Sequence, residues 1–177
     1  FDKRYGLMVN SGSSALLIAM ETLNFPPGSE IITPALTFST TVGYIVRNNW
    51  VPVFVDVEEG TYCINEDKIK NLITKKTKAV VAPHLMGNIV NWDKVAPILK
   101  KKGILIIEDS ADTLGATYKK KSTGHHADIS ITSFYGSHII NCAGNGGMVC
   151  FNNKSKYTKA KLLRSWGRSS SLFAVSY

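Results

Sequence analysis

Ile104-Leu-Ile-Ile107 is the most apolar run in the chain, with no polar residue alternating through it. A strand made from it must be covered on both faces, which is how strands sit in a parallel sheet. Comparable short runs occur at Leu7–Val9, Glu30–Thr33, Val51–Val57, Ala79–Pro83 and Ile129–Ser133, and in the run ending at Phe151. Between them, apolar residues recur at helical spacing over Ser13–Leu23, Phe38–Arg47, Glu66–Thr74, Trp92–Lys102 and Lys154–Trp166. Pro26-Pro27-Gly28 ends the first of these helices, and Gly103 is placed to cap the fourth. Strands alternating with helices predict an α/β fold: a mostly parallel seven-stranded sheet flanked by helices.

With 177 residues, 44% of them hydrophobic, the chain can bury one substantial core. The net charge is +8, from 21 basic and 13 acidic residues, and part of it sits in Lys100-Lys101-Lys102 and Lys119-Lys120-Lys121. No aromatics interleave with these lysines, so they read as a solvated helix end and a solvated turn, with no nucleic-acid partner. A basic surface also suits a small phosphorylated ligand. Cys63, Cys142 and Cys150 show neither an even-numbered disulfide framework nor metal-ligand spacing, so a reduced, cytoplasmic setting without a metal is expected. No apolar run approaches the roughly 20 residues of a membrane span. The chain opens on Phe1 and closes in a serine-rich run, as expected of a piece of a longer protein.

In parallel sheets, ligands sit outside the carboxyl ends of the strands, so the residues that follow each strand carry the functional signal. The first strand leads through Asn10-Ser11-Gly12-Ser13-Ser14 directly into a helix. Small residues there let backbone N–H groups approach an anion, although the same residues make a good helix cap without one. Ile104–Ile107 is followed by Glu108-Asp109-Ser110-Ala111-Asp112. Carboxylates at that place are costly to bury unless a cation meets them, and alone they read equally as a cap or a surface ion pair. Ile129–Thr132 is followed by Ser133 and then His138, on a polar, glycine-rich loop between two core strands. A lone histidine is more often structural than catalytic. One ligand nevertheless satisfies all three places: a phosphate for Gly12, Ser13 and Ser133, a protonated ring nitrogen for Asp109, and reactive chemistry near His138. Pyridoxal phosphate has those parts.

These segments resemble the DegT/StrS sugar-aminotransferase family, of the aspartate-aminotransferase type (fold type I of the pyridoxal-phosphate enzymes), over nearly the whole chain. Asn10-Ser-Gly-Ser-Ser-Ala-Leu is similar to its phosphate-binding opening, and Pro34-Ala-Leu-Thr-Phe38 to the segment whose aromatic stacks on the cofactor ring. Pro52–Val57 and His84-Leu-Met-Gly87 are further landmarks. Glu108-Asp109 with Leu114-Gly-Ala resembles the element whose aspartate pairs with the pyridine nitrogen, and Ser133-Phe-Tyr holds the phosphate serine. The resemblance implies a cofactor-binding large domain over residues 1–168, with 169–177 starting a linker or next segment toward a small domain beyond this chain. It also implies a homodimer that completes the site.

Five residues after that serine the aminotransferases carry the cofactor-linking lysine, and this chain carries His138. An imidazole cannot form that covalent link. His in place of Lys resembles the branch that removes the C3 hydroxyl from nucleotide-linked 4-keto-6-deoxyhexoses, with pyridoxamine phosphate as cofactor. Asn88 after Gly87, and the acid Asp112 where aminotransferases usually have Gln, agree with that branch. The resemblance implies Gly12, Ser13, Phe38, Asp109, Asp112 and Ser133 as cofactor-binding and His138 as the catalytic acid and base. Two rivals stand beside it: a sugar aminotransferase using glutamate as amino donor and another base, and a non-catalytic homologue that binds without turnover.

Overall fold

Neighbouring residues of the central strands point to opposite faces of the sheet, and both faces are covered. Ile31 and Ile32, Val80 and Val81, and Ile106 and Ile107 are all buried. The computed structural model describes residues 1–169. The chain runs β1 (Tyr5–Val9), α1 (Gly12–Glu21), β2 (Glu30–Pro34), α2 (Ser39–Arg47), β3 (Val51–Val55), α3 (Glu66–Leu72) and β4 (Thr77–Pro83). It continues through α4 (Ala96–Lys101), β5 (Leu105–Asp109), β6 (Thr117–Tyr118), β7 (Lys121–Ser122), β8 (Ile129–Ser133), β9 (Gly147–Phe151) and α5 (Lys154–Arg164).

Seven strands form one sheet in the order β1-β9-β8-β5-β4-β2-β3. The pairs β2–β3, β2–β4, β4–β5 and β5–β8 are parallel, whereas β9 runs antiparallel to both of its neighbours. Strand β1 therefore points the same way as β8, and the carboxyl ends of β1, β2, β4, β5 and β8 share one edge of the sheet. One face packs Ile31, Val81 and Ile107 against Leu16 and Met20 of α1, Ile45 of α2 and Ala160 of α5. The other packs Ile32, Val80 and Ile106 against Ile69 of α3 and Leu99 of α4. The two-sided burial read from Ile104–Ile107 is thus what the sheet shows.

The segment Trp92–Lys102, expected as one helix, is broken into a 3-10 turn at Trp92–Lys94 and the short helix α4. Pro97 has no N–H to give and fits only the first turn of a helix, so the α-helix starts afresh at Ala96. Gly103 follows that helix at φ +68, as its capping role requires. Strand β3 ends at Val55, short of Val57, and tolerates Pro52 because it lies at the sheet edge. Helices α3 and α5 stop at Leu72 and Arg164, earlier than their apolar periodicity suggests. The small hairpin β6–β7 between β5 and β8 has no counterpart in the expected elements. Apart from Ser169, the segment expected to begin a linker lies outside the described residues.

Candidate active site

All seven residues singled out in the sequence, Gly12, Ser13, Phe38, Asp109, Asp112, Ser133 and His138, line one cavity of about 760 Å³ at the carboxyl edge of the sheet. Each reaches it from the last residue of a strand or from the segment that follows one: β1, β2, β5 or β8.

The phosphate end is built by close approach. Ser11 caps α1, its hydroxyl accepting the Ser14 N–H at 3.0 Å, and this leaves the N–H groups of Gly12 and Ser13 without a helical partner. A Cβ on Gly12 would stand 2.7 Å from the Cβ of Ser133, and one on Gly147 would stand 2.3 Å from the carbonyl oxygen of Ser11. The two glycines therefore let the start of α1 sit directly against the ends of β8 and β9. Ser133 Oγ accepts the Tyr135 N–H at 3.2 Å, so its own hydrogen is free to be donated. A helix N-terminus with two unpaired N–H groups and an adjacent hydroxyl fits a phosphate.

Asp109 stands at the end of β5, where its Oδ1 accepts the Ala111 N–H at 3.0 Å. Burial pushes its carboxyl up from 3.8 to about 6, and Asp112 adds to the rise; the Ala111 bond, His84 and His138 oppose it. A carboxylate so destabilised by its surroundings is poised to receive a cation. Asp112 is tied on one side, Oδ2 accepting the Met86 N–H at 2.9 Å, and on the other its Oδ1 lies 3.8 Å from His138 Nε2. The other ring nitrogen of His138, Nδ1, is buried without a hydrogen-bond partner, and the ring meets Tyr135 edge-on at 6.0 Å. Phe38 precedes α2 with its side chain 65% exposed and lining the cavity.

The cavity wall also contains residues beyond those seven. His84, which directly follows β4, obeys the same rule and was legible by it. Asn145 arrives from the far side of the β8–β9 loop, and no local pattern signals it. Asn88 is not part of the cavity lining: its side-chain amide donates to Thr61 O at 3.0 Å and pins the turn after β4 to a neighbouring loop.

The mostly parallel seven-stranded sheet flanked by helices is the fold of the fold type I pyridoxal-phosphate enzymes. The chain belongs to the DegT/DnrJ/EryC1/StrS aminotransferase family, whose sequence model matches residues 1–174. It is 40% identical to a dTDP-4-dehydro-2,6-dideoxy-D-glucose 3-dehydratase of Saccharopolyspora spinosa, over 95% of this chain and 38% of that relative. It is 34% identical to a GDP-perosamine synthase of Caulobacter vibrioides, over 93% of this chain and 44% of that one. A solved GDP-4-keto-6-deoxymannose-3-dehydratase with a trapped PLP-glutamate geminal diamine superposes with a TM-score of 0.89 and 30% identity, over 94% of this chain and 45% of that chain. The chain thus spans less than half the length of these relatives. Among the described residues, no helix is long and apolar enough to cross a membrane.

Proposed function

We propose that this chain is the cofactor-binding part of a pyridoxamine-phosphate-dependent 3-dehydratase acting on a nucleotide-linked 4-keto-6-deoxyhexose, in the making of deoxysugars for surface polysaccharide or glycosides. The observation that carries the reading is His138: an imidazole, held 3.8 Å from an anchored carboxylate, stands where the aminotransferases of the family need a lysine.

In this reading Gly12, Ser13 and Ser133 hold the phosphate, Phe38 lies over the ring and Asp109 meets its nitrogen, with Asp112 beside His138. When bound, the cofactor supplies an amine for the C4 ketone of the sugar and an electron-accepting ring. The chain's own residues move the protons. Asp109, ionised, holds the proton on the ring nitrogen. The His138 imidazole takes the proton lost from the carbon beside the amine, then delivers one to the departing C3 oxygen; an imidazole can serve both as base and, once protonated, as acid. A lysine at 138 would compete for the aldehyde form of the cofactor.

The aminotransferase reading has support in the perosamine synthases among the relatives. The test is product identity. The full-length protein is incubated with a 4-keto-6-deoxyhexose nucleotide, pyridoxal phosphate and glutamate, the candidate amino donor. A 3-deoxy sugar supports the dehydratase, and an amino sugar as the product would sink it in favour of the transaminase. No product with any donor would return the chain to the non-catalytic reading.

A further inference from the structure

Asp112 is tied to the turn after β4, and that turn is built against the preference of one of its residues. The Asn88 N–H donates to Leu85 O at 3.0 Å and closes it, with Met86 at φ 55 and Gly87 at φ 84 between them. Positive φ at both central residues is the pattern of a type I′ turn, which suits Asn, Asp or Gly. Gly87 meets that demand without steric cost, whereas the Cβ of Met86 is crowded in this conformation. The Met86 side chain is also 72% exposed, so packing does not hold it there. A residue in so unfavourable a conformation persists only where its surroundings fix the backbone.

Two tethers do so, on opposite sides of the turn. On the cavity side, the Met86 N–H donates to Asp112 Oδ2 at 2.9 Å. On the other side, Asn88 Nδ2 donates to Thr61 O at 3.0 Å, and the Cys63 thiol donates to Asn88 O at 3.5 Å. The segment that carries Thr61 and Cys63 is itself closed. The Glu58 N–H donates to Cys63 O and the Tyr62 N–H to Glu58 O, both at 2.9 Å, and Val57 bridges Ile64. Cys63 and Ile64 are buried, and the chain continues directly into α3, which Asn65 caps. The Asn88 side chain thus joins this anchored segment to the turn. The turn in turn presents the Met86 N–H to Asp112, whose other oxygen lies 3.8 Å from His138 Nε2.

We propose that Asn88 is a positioning residue for proton transfer by His138: its amide braces the left-handed turn that aims the Met86 N–H at Asp112, and so fixes the carboxylate that faces the imidazole. The proposal rests on the dehydratase reading above. It predicts that Asn88 matters to the rate only while Asp112 is present, a dependence that a merely structural role does not produce.

Full-length wild type, Asn88→Ala, Asp112→Ala and the double variant are preloaded with pyridoxamine phosphate, and single-turnover dehydration is measured at saturating 4-keto-6-deoxyhexose nucleotide. This cycle isolates the coupling between the two residues. Asn88→Ala is expected to slow the reaction about two- to tenfold, the worth of one hydrogen bond, and Asp112→Ala about tenfold or more. The double variant is expected to be no slower than Asp112→Ala. Losses that multiply, or no loss in Asn88→Ala, overturn the inference while leaving the reaction reading intact. Wild-type protein that forms no 3-deoxy product overturns both. Hydrogen exchange in the cofactor-free protein supplies a readout apart from activity: the Met86 amide is expected to exchange faster in Asn88→Ala than in the wild type. Unchanged exchange there overturns the brace. Should Asn88→Ala fail to fold, Asn88→Asp keeps the shape and replaces the donor by an acceptor. It is expected to give the same loss, again absent in the Asp112→Ala background, and losses that multiply count against the proposal.

Discussion

His138 Nε2 faces Asp112 Oδ1 across 3.8 Å, while the second oxygen of the same carboxylate is held by the Met86 N–H. The carboxylate is therefore anchored to the turn after β4 and cannot follow the imidazole if it swings. Its effect is to favour one ring orientation over the others.

That relationship separates two substitutions. His138→Asn keeps a polar side chain but removes the proton-transfer group, and turnover is expected to fall about 10²- to 10⁴-fold. Asp112→Asn keeps the acceptor for Met86 and weakens only the hold on the imidazole, so a loss of about tenfold is expected. Single-turnover dehydration by the full-length protein, preloaded with pyridoxamine phosphate, measures both. Full activity in His138→Asn would refute the mechanism.

Asp109 links the site to stability. Its folded-state value of about 6 lies above the ordinary 3.8, so the folded chain binds this proton more tightly than the unfolded chain. The associated stability is fully present below pH 3.8 and is lost as the pH rises through about 6. A displacement of that size corresponds to roughly 3 kcal/mol. Asp109→Asn should therefore raise the thermal midpoint of the cofactor-free protein at pH 8, with little gain at pH 4, while abolishing retention of pyridoxamine phosphate. Melting curves at the two pH values and a binding titration check the two halves separately.

How much of this was legible before the structure differs by residue. The two-sided burial of Ile106 and Ile107 follows from composition alone, and it dictates a covered sheet and a ligand edge. Ser133 and His138 were readable for the same reason, since they follow an apolar strand. The break at Val95 was not: the apolar periodicity of Trp92–Lys102 continues across it, and only the missing N–H of Pro97 sets the helix start. The tether from Asp112 to Met86 was equally hidden, because it depends on a left-handed turn at Met86, φ 55, that no local residue preference signals. Side-chain partners fixed by tertiary approach leave no period in the sequence.

Gly147 tests the close approach that forms the phosphate end. Its would-be Cβ meets main-chain atoms, Ser11 O at 2.3 Å and Gly12 N at 2.6 Å, so no side-chain movement relieves the clash. Gly147→Ala is expected to cost about 1–3 kcal/mol or more, by forcing α1 away from β9. Gly12→Ala meets the Ser133 side chain at Cβ and Oγ and should cost stability on the same scale, with a loss of phosphate affinity. Denaturant unfolding and competition by inorganic phosphate distinguish the two: unchanged phosphate binding in Gly12→Ala would place the anion elsewhere.

Phe38 offers the opposite case, an apolar side chain whose folded environment does not account for it. Its carbonyl accepts the Thr41 N–H at 3.0 Å, which secures the backbone at the start of α2, but the ring is 65% exposed. Truncating a ring so little covered should change stability by no more than about 0.5 kcal/mol. If it lies over the cofactor ring, the same truncation forfeits an aromatic contact of about 0.5–1.5 kcal/mol, or roughly two- to tenfold in Kd. Phe38→Ala is therefore expected to melt like the wild type and bind pyridoxamine phosphate more weakly, with Phe38→Tyr restoring the affinity. A variant that loses stability in step with affinity would mean that the ring packs against protein, and the stacking role would fall.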